Sequence, residues 1–246
     1  MKKLALVLLL VGGLVSPAMA GDITITANPY ETGLGGEFTA TPAPGWLPYF
    51  GYVDGVTMNV GGVAGSFQTF CLETGINLPQ STLLNGYLNP LGAVTGGFAG
   101  GNPDQVSAGT GWLYDQFAAG TLAGYDYTNP GRGGEFAYGS SADLLQRTIW
   151  WLEDENPERY DKYANGVSAP IAGTVFYNAI IAYFGSEANA KANGGANYGV
   201  YALNLWLPGG ALVQDVLVRV PDGGATLMLL GGALVGLGAL RRRFGR

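Results

Sequence analysis

The segment Thr69-Phe70-Cys71-Leu72-Glu73 carries the only cysteine of the chain, and therefore its only thiol. In an extended strand Thr69, Cys71 and Glu73 share one face, and Phe70 and Leu72 share the other. A second segment, Leu145-Gln146-Arg147-Thr148-Ile149-Trp150-Trp151-Leu152-Glu153, sets Gln146 and Trp150 four residues apart. On a helix those two side chains are neighbours, so a large indole there would keep water from one particular amide. Each segment also has a plainer reading. Cys71 is then a small buried hydrophobe or one half of an intermolecular disulfide, and the Gln-Trp pair is the shoulder of an amphipathic helix. A third candidate is the set Glu153, Glu155 and Glu158, in which paired carboxylates would suit glycoside hydrolysis; the alternative is a solvated helix end.

Composition narrows the chemistry. The chain has 246 residues, 48% hydrophobic and only 12% charged, with 42 glycines and no histidine. That length is ample for a core. Without histidine, Ser-His-Asp and Cys-His hydrolases and histidine zinc sites are excluded. With one cysteine, so are an internal disulfide framework and a thiolate metal cluster. Residues 21–219 hold six basic and 17 acidic side chains, a formal charge of about −11, which argues against a nucleic-acid partner. No Asp-x-Asp-x-Asp-Gly loop is present, so calcium has little to stand on, and no metal site or cofactor is expected.

The elements that must position the two segments follow from periodicity. Residues 22–26 and 37–41 alternate polar and apolar and read as strands, as do 56–60 and 66–73. Glycine pairs and Thr41-Pro42-Ala43-Pro44-Gly45 punctuate them as turns. Gly111–Phe117 reads as a helix with Leu113 and Phe117 four apart. Ser140-Ser141-Ala142-Asp143 is a helix start leading to Glu155, with Ala142, Leu145, Ile149 and Leu152 as its core stripe. Pro157 opens another turn, 171–192 is a longer apolar helix, and 198–207 and 212–220 are strands. Gly92–Gly101 reads as a flexible loop. The expected fold is α+β: an antiparallel β-sandwich or barrel whose late strands close on the early ones, with a helical subdomain inserted between them.

Taken together, Phe-Cys-Leu-Glu followed by Leu-Gln-x-x-Ile-Trp resembles the internal-thioester domain of bacterial surface adhesins. In that family the cysteine sulfur attacks the glutamine carbonyl, releasing ammonia and leaving a thioester. The resemblance assigns the crosslink to Cys71 and Gln146, shielding to Trp150 and Phe70, and possible support to Glu73. The chemistry is reasonable on its own terms. An amide is a poor electrophile and a thioester a good one, so the bond stores reactivity for release on an amine or hydroxyl. Its formation needs attack geometry and its survival needs dryness. One bond per molecule makes such a protein a single-use ligand rather than a turnover enzyme.

Both ends of the chain carry address-like segments. Residues 1–20 have a basic start, an apolar stretch and Ala18-Met19-Ala20, the pattern of a cleaved secretory signal peptide. Residues 220–246 begin Val220-Pro221-Asp222, continue as an apolar run of about 16 residues to Leu240, and end on Arg241-Arg242-Arg243. As a helix that run is about 24 Å long, short for a hydrocarbon core of about 30 Å, and the arginines would stop it on the cytoplasmic side. The plain alternative is a tail anchor. The three parts resemble the PEP-CTERM class of sorting signals, particularly its Val-Pro-Asp variants. That resemblance implies processing by an exosortase at Val220, Pro221 and Asp222, in a Gram-negative bacterium that makes exopolysaccharide. The expected organisation is a signal peptide, a thioester-like extracellular domain over 21–219, and a sorting signal with a transmembrane helix. The expected partners are the exosortase, the inner membrane transiently, and a surface or matrix protein or polysaccharide bearing amines or hydroxyls. The alternative function is a non-covalent structural protein of a biofilm matrix, with Cys71 a buried thiol.

Overall fold

The computed structural model describes residues 20–27, 36–44, 65–98, 101, 103–127, 139–162 and 166–220. The strand expected at 56–60, almost all of the signal peptide and the apolar C-terminal run lie outside these residues. Among the described residues six strands form one antiparallel sheet: β1 (Ala20–Thr26), β2 (Gly36–Pro42), β3 (Phe67–Phe70), β4 (Leu83–Asn89), β5 (Val200–Trp206) and β6 (Leu212–Arg219). Their spatial order is β3-β2-β1-β4-β5-β6, and the two outer strands then turn to meet each other. Cys71, just past β3, bridges Val216 of β6, and Leu72 N donates to Asp215 O at 3.0 Å. The sheet is thereby a nearly closed barrel rather than a sandwich, and closure removes most of the exposed strand edge.

Alternation along the strands sorts their side chains into two cores. Ile23 and Ile25 of β1, Phe38 and Ala40 of β2, Leu84 of β4, Leu203 and Leu205 of β5 and Val216 and Val218 of β6 fill the barrel. Phe70, Ala202 and Leu217 face outward, where helices cover them. Those helices are α1 (Ala108–Ala118), α2 (Ser141–Leu152), α3 (Pro157–Tyr160), α4 (Val175–Phe184) and α5 (Glu187–Lys191), followed by a 3-10 turn at Gly195–Tyr198. They are inserted between β4 and β5, as the sequence suggests.

Helix α2 starts where its capping signal says: the Ser140 hydroxyl accepts from Asp143 N at 3.1 Å. Its stripe of Ala142, Leu145, Ile149 and Leu152 is fully buried in the outer core. Arg147 is also buried. It binds Asp143 through Nε at 3.1 Å and donates through Nη1 to the carbonyls of Tyr160 and Ala169. The long helix expected at 171–192 is instead two, because Gly185 takes a left-handed conformation (φ 77°) and Ser186 caps a new helix. Strand β4 has no counterpart in the sequence reading; its Leu-Leu-Asn-Gly-Tyr-Leu-Asn order lacks a clean alternation and contains a turn-like Asn-Gly.

Two hydroxyls reinforce the backbone seam between β3 and β6. Thr69 Oγ1 donates to Leu217 O at 2.6 Å, and the buried Tyr114 hydroxyl of α1 donates to Gln68 O at 2.7 Å. Replacing Tyr114 with Phe keeps the ring and removes the donor. The expected result is a loss of about 1 kcal/mol, read as a lower urea midpoint with an unchanged m-value.

Candidate functional site

The seam leaves one residue with an unusual requirement. Cys71 and Val216 face each other as a pair that exchanges no hydrogen bonds, so the Cys71 N–H and C=O point away from β6. On that side the described pairing with β2 reaches Gly36, which is opposite Phe70. Beyond that pair the Gln146 carboxamide meets the Cys71 backbone. Its Oε1 accepts from Cys71 N at 2.9 Å and its Nε2 donates to Cys71 O at 2.9 Å. One side chain from the middle of α2 thus acts as a single-residue strand and satisfies both backbone groups of a buried cysteine. Gly36 makes room for it: a Cβ there would lie 2.7 Å from Gln146 Oε1 and 2.6 Å from the Phe70 ring.

The surroundings are dry. Gln146 is fully buried and Cys71 is only 4% exposed. Trp150, one turn along α2, leaves the outer core and joins the barrel cluster that contains Cys71. Phe70 lies in the outer core, packed edge-on against Phe117 at 5.1 Å. The buried Trp150 Nε1 has no hydrogen-bond acceptor among the described residues. The structure therefore brings Cys71, Gln146, Phe70 and Trp150 into one neighbourhood from two remote segments.

Glu73 belongs to a different arrangement. It is buried beside Asp215, whose backbone N–H donates to it. Glu73 Oε2 accepts from Gln214 Nε2 at 3.0 Å and from Asp215 N at 3.2 Å, and Oε1 accepts from the Thr95 hydroxyl. Asp215 accepts from Val94 N at 2.6 Å and Thr95 N at 3.1 Å. Burial, and then the Asp215 charge, push the Glu73 carboxyl up to about 9; burial raises Asp215 as well. Glu155 binds the same loop further on, accepting from Thr74 N at 2.8 Å, from the Thr74 hydroxyl and from Phe98 N at 3.0 Å. Two sequence expectations fail here. The described part of the 92–101 loop is pinned by three carboxylates, and Glu155 is 1% exposed rather than part of a solvated face. Sequence reasoning missed Asp215 altogether, because nothing near it in the chain announces a carboxyl partner 142 residues away.

The glutamates considered for hydrolysis take separate roles. Glu153 accepts from Ser107 N at 3.2 Å beside a shallow cavity of about 150 Å³ that Asp104 and Lys191 also line, and burial pushes it up to about 7. Glu158 is exposed and pairs with Lys162. Among the described residues no group of three or more Asp, Glu or Cys side chains is arranged to hold a metal ion. Val220 is the last described residue; Pro221, Asp222 and the arginine cluster lie beyond it. Among the described residues no helix is long and apolar enough to cross a membrane.

Residues 219–244 match a family model described as the VPDSG-CTERM motif. The match supports a C-terminal sorting signal of the PEP-CTERM type, consistent with export, surface association and exosortase processing. Gly223 stands where that description has serine. No curated protein and no solved structure matches the chain, and the likeness to thioester adhesins gains nothing from these comparisons.

The carboxyl pair makes a signed prediction. A carboxyl raised on folding binds its proton more tightly in the native state, so its stabilisation is complete below the unfolded value of 4.5. That contribution is lost as pH climbs towards 9. The unfolding free energy is expected to fall across this window, and Glu73→Gln, which keeps the shape without titrating, should flatten the slope. Urea melts at several pH values measure it; stability that rises from pH 5 to 9 would contradict the assignment.

Proposed function

We propose that the chain is an exported protein that attaches covalently to its target through an internal thioester between Cys71 and Gln146. Its signal peptide directs export, its C-terminal apolar run holds it transiently in the inner membrane, and an exosortase processes it at Val220-Pro221-Asp222. The observation that carries the thioester reading is the two-point clamp between the Gln146 amide and the Cys71 backbone. It fixes a carboxamide against the residue that bears the only thiol, which supplies the effective concentration a slow reaction needs.

In the forming step, the Cys71 sulfur adds to Gln146 Cδ and negative charge develops on Oε1. The Cys71 N–H already donates to that oxygen, so charge stabilisation is in place before the reaction starts. The C–Nε2 bond then breaks and ammonia leaves, carrying the thiol proton; the S–Cδ bond remains. In the capture step an amine or hydroxyl of the target attacks Cδ, the sulfur leaves as the thiol, and an amide or ester joins the target to Gln146. Trp150 and Phe70 exclude water in the interval, so the acyl group survives until a target reaches it.

A second reading rests on the same clamp. The amide completes the ladder at the barrel seam and needs no chemistry to justify its place. The chain is then a non-covalent structural protein of the surface or matrix, with Cys71 as a buried thiol.

The two readings diverge on exposure to methylamine. A thioester predicts addition of methylamine at Gln146 and appearance of one titratable thiol, both lost in Cys71→Ala and in Gln146→Ala. Trp150→Ala should form the bond and lose it faster to hydrolysis. Native protein with a full complement of titratable thiol and no adduct would leave the structural reading in possession.

A further inference from the structure

Helix α4 is unusual for a helix on the outside of a protein. Its sequence, Val-Phe-Tyr-Asn-Ala-Ile-Ile-Ala-Tyr-Phe, contains no charged residue, yet only Phe176 and Ile180 are buried. Tyr183 is 57% exposed and Val175 46%. At its C-terminal end Tyr183 stacks on Trp112 of α1 with ring centroids 4.8 Å apart, and Phe184 packs edge-on against both Trp112 and Tyr198 of the 3-10 turn. The result is one aromatic cluster shared by α1, α4 and the turn, in which Trp112, Phe184 and Tyr198 are half-buried against the outer core and Tyr183 stands exposed. Soluble surfaces rarely leave a partly exposed helix of this length without a charged residue.

The place where the chain leaves the barrel says what this face meets. Val220, the end of the described chain, donates its N–H to Gly199 O at 2.7 Å, directly beside Tyr198. Arg219 Nε binds Asp115 of α1 at 2.6 Å, one turn from Trp112. The exit is therefore tied to two of the three elements that carry the aromatic face. The apolar run begins only about six residues later, a span of at most about 22 Å even if fully extended. While the run is anchored, this span keeps the exit side of the body within about 22 Å of the bilayer.

We infer that the Trp112–Tyr183–Phe184–Tyr198 face is a membrane-contact surface that lies in the lipid interface while the C-terminal run is anchored. This rests on the transient anchoring proposed above. Trp and Tyr suit that depth, since a ring buries apolar area while its N–H or O–H stays with the headgroups. The absence of charge on α4 fits neutral headgroups rather than electrostatic capture, as does a body of about −11. The far end of the barrel would stay in water: Leu212, at the other end of β6, is about 25 Å from the exit.

The test reconstitutes the full-length chain into phosphatidylcholine vesicles whose acyl chains carry bromine, a short-range quencher of tryptophan. Quenching is expected in the wild type and should fall sharply in Trp112→Phe, which keeps an aromatic ring at that place. It should also fall in Tyr183→Lys, which charges an exposed position and leaves the circular dichroism unchanged. Resistance to alkaline carbonate extraction reports separately that the tail is inserted. A carbonate-resistant chain whose quenching is the same with Trp112 and with Phe would overturn the inference and spare the anchoring. A chain extracted by carbonate would overturn both. Protection of Trp112 from acrylamide by soluble polysaccharide, with no quenching by the vesicles, would give the face to a sugar ligand instead.

Discussion

A buried strand end must satisfy its backbone, and in this barrel that requirement falls on Cys71. Its N–H and C=O point away from the closing strand β6, beyond the described β2 pairing at Gly36, into the buried interior. An unmet buried donor or acceptor costs about 1–3 kcal/mol each, so the gap has to be filled. The Gln146 amide fills it with the same donor-acceptor pair that a strand would present. Much else is arranged around this substitution. Gly36 lacks a side chain where the amide oxygen sits, α2 is placed to deliver Gln146, and Trp150 reaches into the barrel one turn later.

The acidic residues near the seam do a related job for the loop that follows β4. Glu73, Asp215 and Glu155 each accept from backbone N–H groups between Thr74 and Phe98, or from the hydroxyls of Thr74 and Thr95. Carboxylates are the strongest acceptors available for such a purpose, but burying two of them side by side works only if one keeps its proton. The same stretch of chain therefore binds the cysteine segment to Gln146 on one side and to the carboxyl pair on the other. Rigidity at Cys71 is the shared consequence, and rigidity is what an attack geometry requires.

What the sequence makes legible depends on the range of the signal. Strands β1 and β2 alternate cleanly, and α2 begins on a Ser cap with an apolar stripe, so local pattern and final structure agree. Gln146 and Trp150 stand out because a four-residue spacing becomes proximity on any helix. Strand β4 is hidden by Asn85-Gly86, and Gly185 breaks a run whose apolar pattern continues through it. The carboxyl pair is invisible for a different reason: Glu73 and Asp215 meet only because the barrel closes, and Glu155 is buried only because Thr74 and Phe98 come to it. The pairing of Cys71 with Gln146 came from motif resemblance; the way the amide grips the backbone rather than merely lying near the sulfur has no trace in the sequence.

The account turns on whether the clamp between Gln146 and Cys71 goes on to become a bond. The most direct measurement is the intact mass of the native, surface-derived protein, taken without reducing agent or amine buffer. The proposal predicts a mass lower by one ammonia than the processed sequence requires, with no C-terminal residues beyond the sorting motif. A mass equal to that of the unmodified chain, with the Cys71 thiol and the Gln146 amide both intact, would contradict it.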